Sequence, residues 1–179
     1  MSKDNVKKYL NYLVECTAAK YTLEETDPNA KLKKVVINGI PQGALIVRID
    51  NGDGIKKLLK SDGDDFPINK RSDYLIIDEK NVIFVEMKSK NVDTRDCILK
   101  FKSSACLISY IDNLFNEFLG SNSYFENKAK HYVVISLQQM SCYKDPFTKN
   151  DDTKSNTRPG QFRNIETPNK GEVFYEQFL

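Results

Sequence analysis

Three charged side chains, Asp73, Glu86 and Lys88, are the residues of this chain best placed to do chemistry. Asp73 opens the apolar run Tyr74-Leu75-Ile76-Ile77, and Glu86-Met87-Lys88 closes the run Val82-Ile83-Phe84-Val85. The polar tetrapeptide Asp78-Glu79-Lys80-Asn81 between the runs predicts a β-hairpin. Residues two apart on a strand share a face, so Glu86 and Lys88 point one way and Met87 the other. A turn on Glu79-Lys80 sets Asp73 opposite Glu86, and a turn one residue later sets it opposite Lys88. All three share a face in either register, whereas a slip by one position in the pairing would separate them.

Two carboxylates beside an apolar sheet are strongly disfavoured without a compensating partner. A divalent ion is such a partner. Mg²⁺ (or Mn²⁺) accepts one or two carboxylates, keeps several waters and binds phosphate oxygens. Such an ion activates water and stabilises the leaving oxygen of a phosphodiester. Lys88 beside it would orient or deprotonate the attacking water, or neutralise the phosphate in the transition state.

The elements that must position these groups follow from periodicity. Continuous apolarity in both hairpin runs predicts that both faces are covered. Val6, Leu10, Leu13, Val14 and Thr17 recur at helical spacing and predict a helix from Val6 to about Lys20. Asp27-Pro28-Asn29 marks a turn in the polar stretch that follows. Val35-Val36-Ile37 and Ala44 to Ile49 read as strands, Ile55 to Lys60 as a helical turn, and Ser61 to Asn69 as an acidic loop. After the hairpin, Asp93-Thr94 offers an N-cap to a long amphipathic helix ending near Leu119, with Gly120 as C-cap. Ile98, Phe101, Ala105, Ile108, Ile111, Phe115 and Phe118 trace its apolar face, with Asp112 just off the stripe. Tyr132 to Leu137 is a buried strand. From Ser141 to Gly171 the chain is polar and punctuated by Pro146, Pro159 and Pro168, which predicts loop or partial disorder. Glu172 to Leu179 returns as a last strand. The expected fold is therefore α/β (α+β), a mixed central β-sheet flanked by helices.

At this point the sequence resembles the PD-(D/E)xK nuclease superfamily, the restriction-endonuclease-like and Holliday-resolvase-like enzymes. The resemblance rests on Asp73, the apolar hairpin and Glu86-Met87-Lys88, and covers roughly residues 6–137. It implies a core in the order α-β-β-β-α-β, a nuclease-like domain over residues 1–140, and a polar C-terminal extension over 141–179. It implies that Asp73 and Glu86 are the metal ligands and Lys88 the catalytic lysine. Ser72 stands where the family name has proline. Many members place a further glutamate on the first helix near the metal. Glu15 is the candidate for it, with Glu24 and Glu25 behind it, although a helical wheel sets Glu15 opposite the apolar stripe. The helix after the motif often turns a basic residue toward the scissile phosphate in this family. Lys102 is favoured over Lys100 for that role, and Lys90 and Arg71 flank the site in sequence.

Context rather than letters carries the motif. With 10 Glu and 22 Lys in 179 residues, roughly one ExK arises by chance. A second occurs at Glu126-Asn127-Lys128, with no apolar strand leading into it. An ordinary hairpin with charges at a strand end is the competing interpretation.

The remaining composition excludes several chemistries. A single histidine, His131, rules out paired-histidine and HExxH sites, and its place before an apolar run reads as the start of a strand. No GxSxG, GxxxxGK[ST] or GxGxxG sequence occurs. Four scattered cysteines with no CxxC pair favour reduced thiols in a cytoplasmic protein over a zinc site. The Asp62–Asp65 loop lacks the closing glutamate of an EF-hand. No run approaches the length of a membrane span. A net charge of +2 confines any nucleic-acid surface to a local patch. The expected substrate is nucleic acid, DNA favoured over RNA, and the expected partners are another protein or further copies of this chain. Family analogy suggests a subunit or effector of a bacterial defence or DNA-processing system. Two alternatives stay open: a nuclease-like scaffold that has lost catalysis, and an unrelated α/β domain whose charges are incidental.

Overall fold

The aliphatic runs of the sequence become the central strands of the protein. The computed structural model describes residues 3–50, 70–89, 92–120, 123–137, 155–167 and 171–179. A short helix α1 (Lys3–Tyr9) comes first. It is followed by strands β1 (Leu13–Glu15), β2 (Lys20–Glu24), β3 (Lys34–Asn38), β4 (Leu45–Arg48), β5 (Tyr74–Ile77) and β6 (Asn81–Lys88). The long helix α2 (Thr94–Leu119) leads to β7 (Ala129–Leu137), β8 (Arg163–Thr167), β9 (Glu172–Phe174) and a 3-10 turn at Tyr175–Phe178. The expected Ile55–Lys60 turn, the acidic loop and Lys90 lie outside the described residues.

Six strands form a mixed sheet in the order β1-β4-β5-β6-β7-β8. β4, β5 and β6 run as an antiparallel meander, whereas β6, β7 and β8 are parallel. Parallel neighbours need a crossover, and α2 supplies the one from β6 to β7. Leu45, Val47, Leu75, Ile77, Phe84 and Val134 face the helices, packing with Cys97, Phe101, Ile108 and Phe115 of α2 and Val6 of α1. The alternate residues, among them Ile46, Ile76, Ile83, Val85, Met87 and Ile135, pack on a second, three-stranded sheet ordered β2-β3-β9. The class is thus mixed α and β. Both described helices cover one face, and a small sheet covers the other where helices were expected on both. Six described strands, not three, separate α1 from α2.

Three expectations need correction. The first helix ends at Tyr9, because Leu13–Glu15 pairs with β4 instead, Leu13 beside Val47 and Glu15 beside Leu45. Asn11-Tyr12 makes the turn, with Tyr12 in the left-handed region (φ 57°). Edge pairing on a sheet overrides the helical spacing of Leu13, Val14 and Thr17. Next, the polar 141–171 stretch contains β8, whose Ile165 reaches the core beneath the sheet. Finally, Phe118 is 78% exposed. The buried stripe of α2 is rotated onto Cys97, Phe101, Ser104, Ile108, Asp112 and Phe115. Asp112 is tolerated there because its carboxylate accepts from the backbone amides of Tyr124, Phe125 and Glu126.

Other signals in the sequence are matched closely. Asp93 caps α2 by accepting from Asp96 N at 3.1 Å. Gly120 ends it in the left-handed region, φ 56°. Gly171 is required by contact: a Cβ there would lie 2.3 Å from Lys34 O. This closeness lets β9 pair beside β3. Among the described residues no helix is long and apolar enough to cross a membrane.

Candidate active site

The hairpin register decides where the three charged residues meet. Ile77 pairs with Val82 and Tyr74 with Val85, and Asp78 N donates to Asn81 O at 3.1 Å. The turn therefore sits on Glu79-Lys80, and the next step of the ladder sets Asp73 opposite Glu86. Met87 lies in the core on the other face. Asp73, Glu86 and Lys88 share the face that α2 covers, at the open end of the hairpin.

Both carboxylates are buried, Asp73 at 8% exposure and Glu86 at 1%. Asp73 Oδ2 accepts from Met87 N at 2.6 Å. Burial, reinforced by the neighbouring Glu86 charge, pushes the Asp73 carboxyl up to about 8, against the pull of Lys100 and the Met87 amide. Glu86 Oε1 takes two ammonium groups, Lys100 Nζ at 2.5 Å and Lys88 Nζ at 3.0 Å. Glu86 Oε2 is buried and has no hydrogen-bond partner. Lys88 also reaches Asp96 Oδ2 at 3.0 Å, and Lys70 reaches Asp96 Oδ1 at 3.1 Å. Burial pushes the Lys88 ammonium down, but Glu86 and Asp96 outweigh it and hold it above the ordinary lysine range.

Comparison with protein-family models, with curated proteins and with solved structures finds no match.

What the site can hold follows from its own donors. An orphaned carboxylate oxygen beside a second carboxyl whose pKa burial raises is an unmet demand for positive charge that a cation would answer. Among the described residues no group of three or more His, Cys, Asp or Glu side chains converges. Two carboxylates are nevertheless a sufficient protein share for Mg²⁺, which retains waters and takes the rest of its shell from phosphate. The donor set fits such an ion, and Asp73 and Glu86 are the residues that would hold it.

The other candidates separate clearly. Glu15 lies on β1, not on a helix, and forms ion pairs with Lys3 (2.5 Å) and Lys7. Its row runs through Leu45 to Ile77, the far end of β5 from Asp73, so Glu15 is removed from the ligand set. Of Glu15, Glu24 and Glu25, it is Glu25 whose charge acts on Asp73, more weakly than that of Glu86. On α2 the order of the two lysines reverses: Lys100 faces the site and Lys102 is exposed to solvent. Arg71 Nη1 lies 3.5 Å from Ile49 O. His131 lies within β7, its Nδ1 3.0 Å from Asn156 Oδ1.

Two site residues escaped the sequence reading. Asp96 gathers Lys70 and Lys88. Ser104 accepts from Ser72 N at 2.8 Å and from Ser72 Oγ at 3.0 Å, tying α2 to the residue before Asp73. The signal was available: Asp96, Lys100 and Ser104 recur every four residues and form a polar stripe beside the apolar one.

Proposed function

We propose that this chain is a divalent-metal-dependent nuclease that hydrolyses nucleic-acid phosphodiester bonds, DNA favoured, and acts in the cytoplasm. The observation that carries the reading is the Asp73–Glu86 pair: two buried carboxyl groups side by side, one oxygen without a partner, flanked by lysines. A purely structural pair would have its oxygens satisfied.

Asp73 and Glu86 would hold Mg²⁺ or Mn²⁺, which supplies Lewis-acid activation of water and charge neutralisation at the phosphodiester. Met87 N fixes the rotamer of Asp73, and the Ser72–Ser104 contact fixes the start of its strand. Lys88, held cationic between Glu86 and Asp96, contributes positive charge and hydrogen-bond donation to a phosphate oxygen rather than taking a proton from water. Partner proteins or further copies of the chain would supply substrate selection.

One observation favours a second reading, a nuclease-like binding subunit without catalysis: Glu15 lies at the far end of the sheet, which leaves two carboxylates at the site. Incubating the protein and its Lys88→Ala variant with supercoiled plasmid, linear duplex and single-stranded RNA, in Mg²⁺, Mn²⁺ or EDTA, separates the readings. The nuclease reading expects metal-dependent cleavage that Lys88→Ala lowers by about 100-fold or more. Cleavage that persists in EDTA, or is untouched in Lys88→Ala, would overturn it. Metal and nucleic-acid binding without cleavage would establish the second reading.

A further inference from the structure

Lys88 and Lys100 share one oxygen of Glu86 but are held differently. Lys88 is anchored a second time by Asp96, which Lys70 holds from its other oxygen. Lys100, among the described residues, forms an ion pair with Glu86 alone. Lys88 grows from the strand itself. Lys100 reaches down from α2; its side chain is about as exposed as that of Lys88, 23% against 20%, so the second anchor on Asp96 is what separates them. A four-carbon stem of this kind can carry its head out to water once another cation takes its place on Glu86. The charge of Lys100 acts on Asp73 as well as on Glu86. Seated on Glu86 Oε1, the Lys100 ammonium occupies a carboxylate oxygen that a bound cation would draw on, and its charge also reaches Asp73.

We propose that Lys100 is a built-in occupant of the cation site: its ammonium stands in for the divalent ion on Glu86 and must leave when the ion binds. This inference rests on the cation-site reading of Asp73 and Glu86. Two lysines already lie on Glu86 Oε1, and a divalent ion added without either departing would face both at short range in a poorly screened setting. Lys88 is tethered, so Lys100 is the one that moves. The apparent affinity for the ion is lowered by the fraction of molecules in which Lys100 holds Glu86. The site therefore stays closed until divalent ion is abundant.

The test is calorimetric titration of the full chain with MnCl₂, comparing the wild type with Lys100→Met. Tighter binding by Lys100→Met, by about fivefold or more, is expected, the lower end of couplings between competing ligands. In EDTA the same variant should melt below the wild type, because Glu86 has lost a partner, and saturating Mn²⁺ should raise its melting temperature by more. Should Lys100→Met fail to fold, Lys100→Gln keeps a neutral donor to Glu86 and gives the same comparison. Equal or weaker Mn²⁺ binding by the variant, with binding intact in the wild type, would overturn the stand-in role and leave the cation site standing. Binding by neither protein would overturn the cation site, and the stand-in with it.

Discussion

The two ends of the β5–β6 hairpin each carry an aspartate, and they treat it in opposite ways. At the closed end, Asp78 Oδ1 accepts from Lys80 N at 2.7 Å and Asn81 N at 2.6 Å. Its Oδ2 accepts from Asn81 Nδ2 at 2.9 Å and from the Tyr175 hydroxyl. Burial pushes this carboxyl up, but the donors, led by Tyr175 and Asn81, outweigh it and hold the group below its ordinary value. At the open end, Asp73 has the Met87 amide and a like-charged neighbour, and its carboxyl is raised to about 8. The same residue type, on the same strand pair, is satisfied in one place and frustrated in the other. The satisfied end holds the C-terminal segment against the sheet. The frustrated end is where a ligand has something to offer.

Removing each aspartate should therefore move stability in opposite directions. The largest effect is expected for Asp78→Ala, which strands the donors of Tyr175, Asn81 and Lys80. It should lower unfolding free energy by about 2–3 kcal/mol in a denaturant titration and leave Mn²⁺ binding unchanged. An unaltered midpoint would show that the closed end is not a staple.

Asp73 gives the second contrast, through pH. Burial holds its carboxyl well above the ordinary aspartate range, so the folded protein holds the proton more tightly than the unfolded chain. Its contribution to metal-free stability is therefore undiminished below about pH 4 and is lost as pH rises through about 8. Melting curves in EDTA should show this decline in the wild type, and Asp73→Asn should flatten it and be the more stable protein at pH 9. A decline identical in both proteins would place its origin elsewhere.

Smaller effects sharpen the comparison further. Tyr175→Phe deletes one donor to Asp78 and should cost about 1 kcal/mol in the same denaturant titration, with no change in metal affinity. Ser104→Ala loses the link from α2 to Ser72. It leaves the buried Ser72 amide and hydroxyl without that acceptor and should cost about 1–2 kcal/mol; on the nuclease reading it should also slow cleavage several-fold, because the link positions Asp73. Loss of stability without any change in rate would reduce that link to packing.

The contrast between the two ends also explains what the sequence made legible. The hairpin, its shared face, the cap at Asp93, the stop at Gly120 and the strand after α2 follow from local signals: apolar runs, turn residues and capping side chains. The extent of the first helix was misread because Leu13–Glu15 is decided by a partner strand thirty or more residues away, which no local window sees. β8 was hidden because an edge strand needs few apolar residues, and Ile165 is the one apolar side chain it sends inward, beside the buried Thr167. At the site, Asp73, Glu86 and Lys88 were visible as a group because strand periodicity and the turn on Glu79-Lys80 together put them on one face. The choice of Lys100 over Lys102 needed the rotation of α2. That rotation is fixed by Ser104 and Asp112, polar residues that a search for an apolar stripe passes over.

The most direct test of the central claim is to soak crystals of the protein in MnCl₂ and locate the ion by its anomalous signal. The account predicts a peak bonded to the carboxylates of Asp73 and Glu86, with Lys100 moved off Glu86. Lys100 still bonded to Glu86, with no peak between the two carboxylates at saturating Mn²⁺, would contradict it.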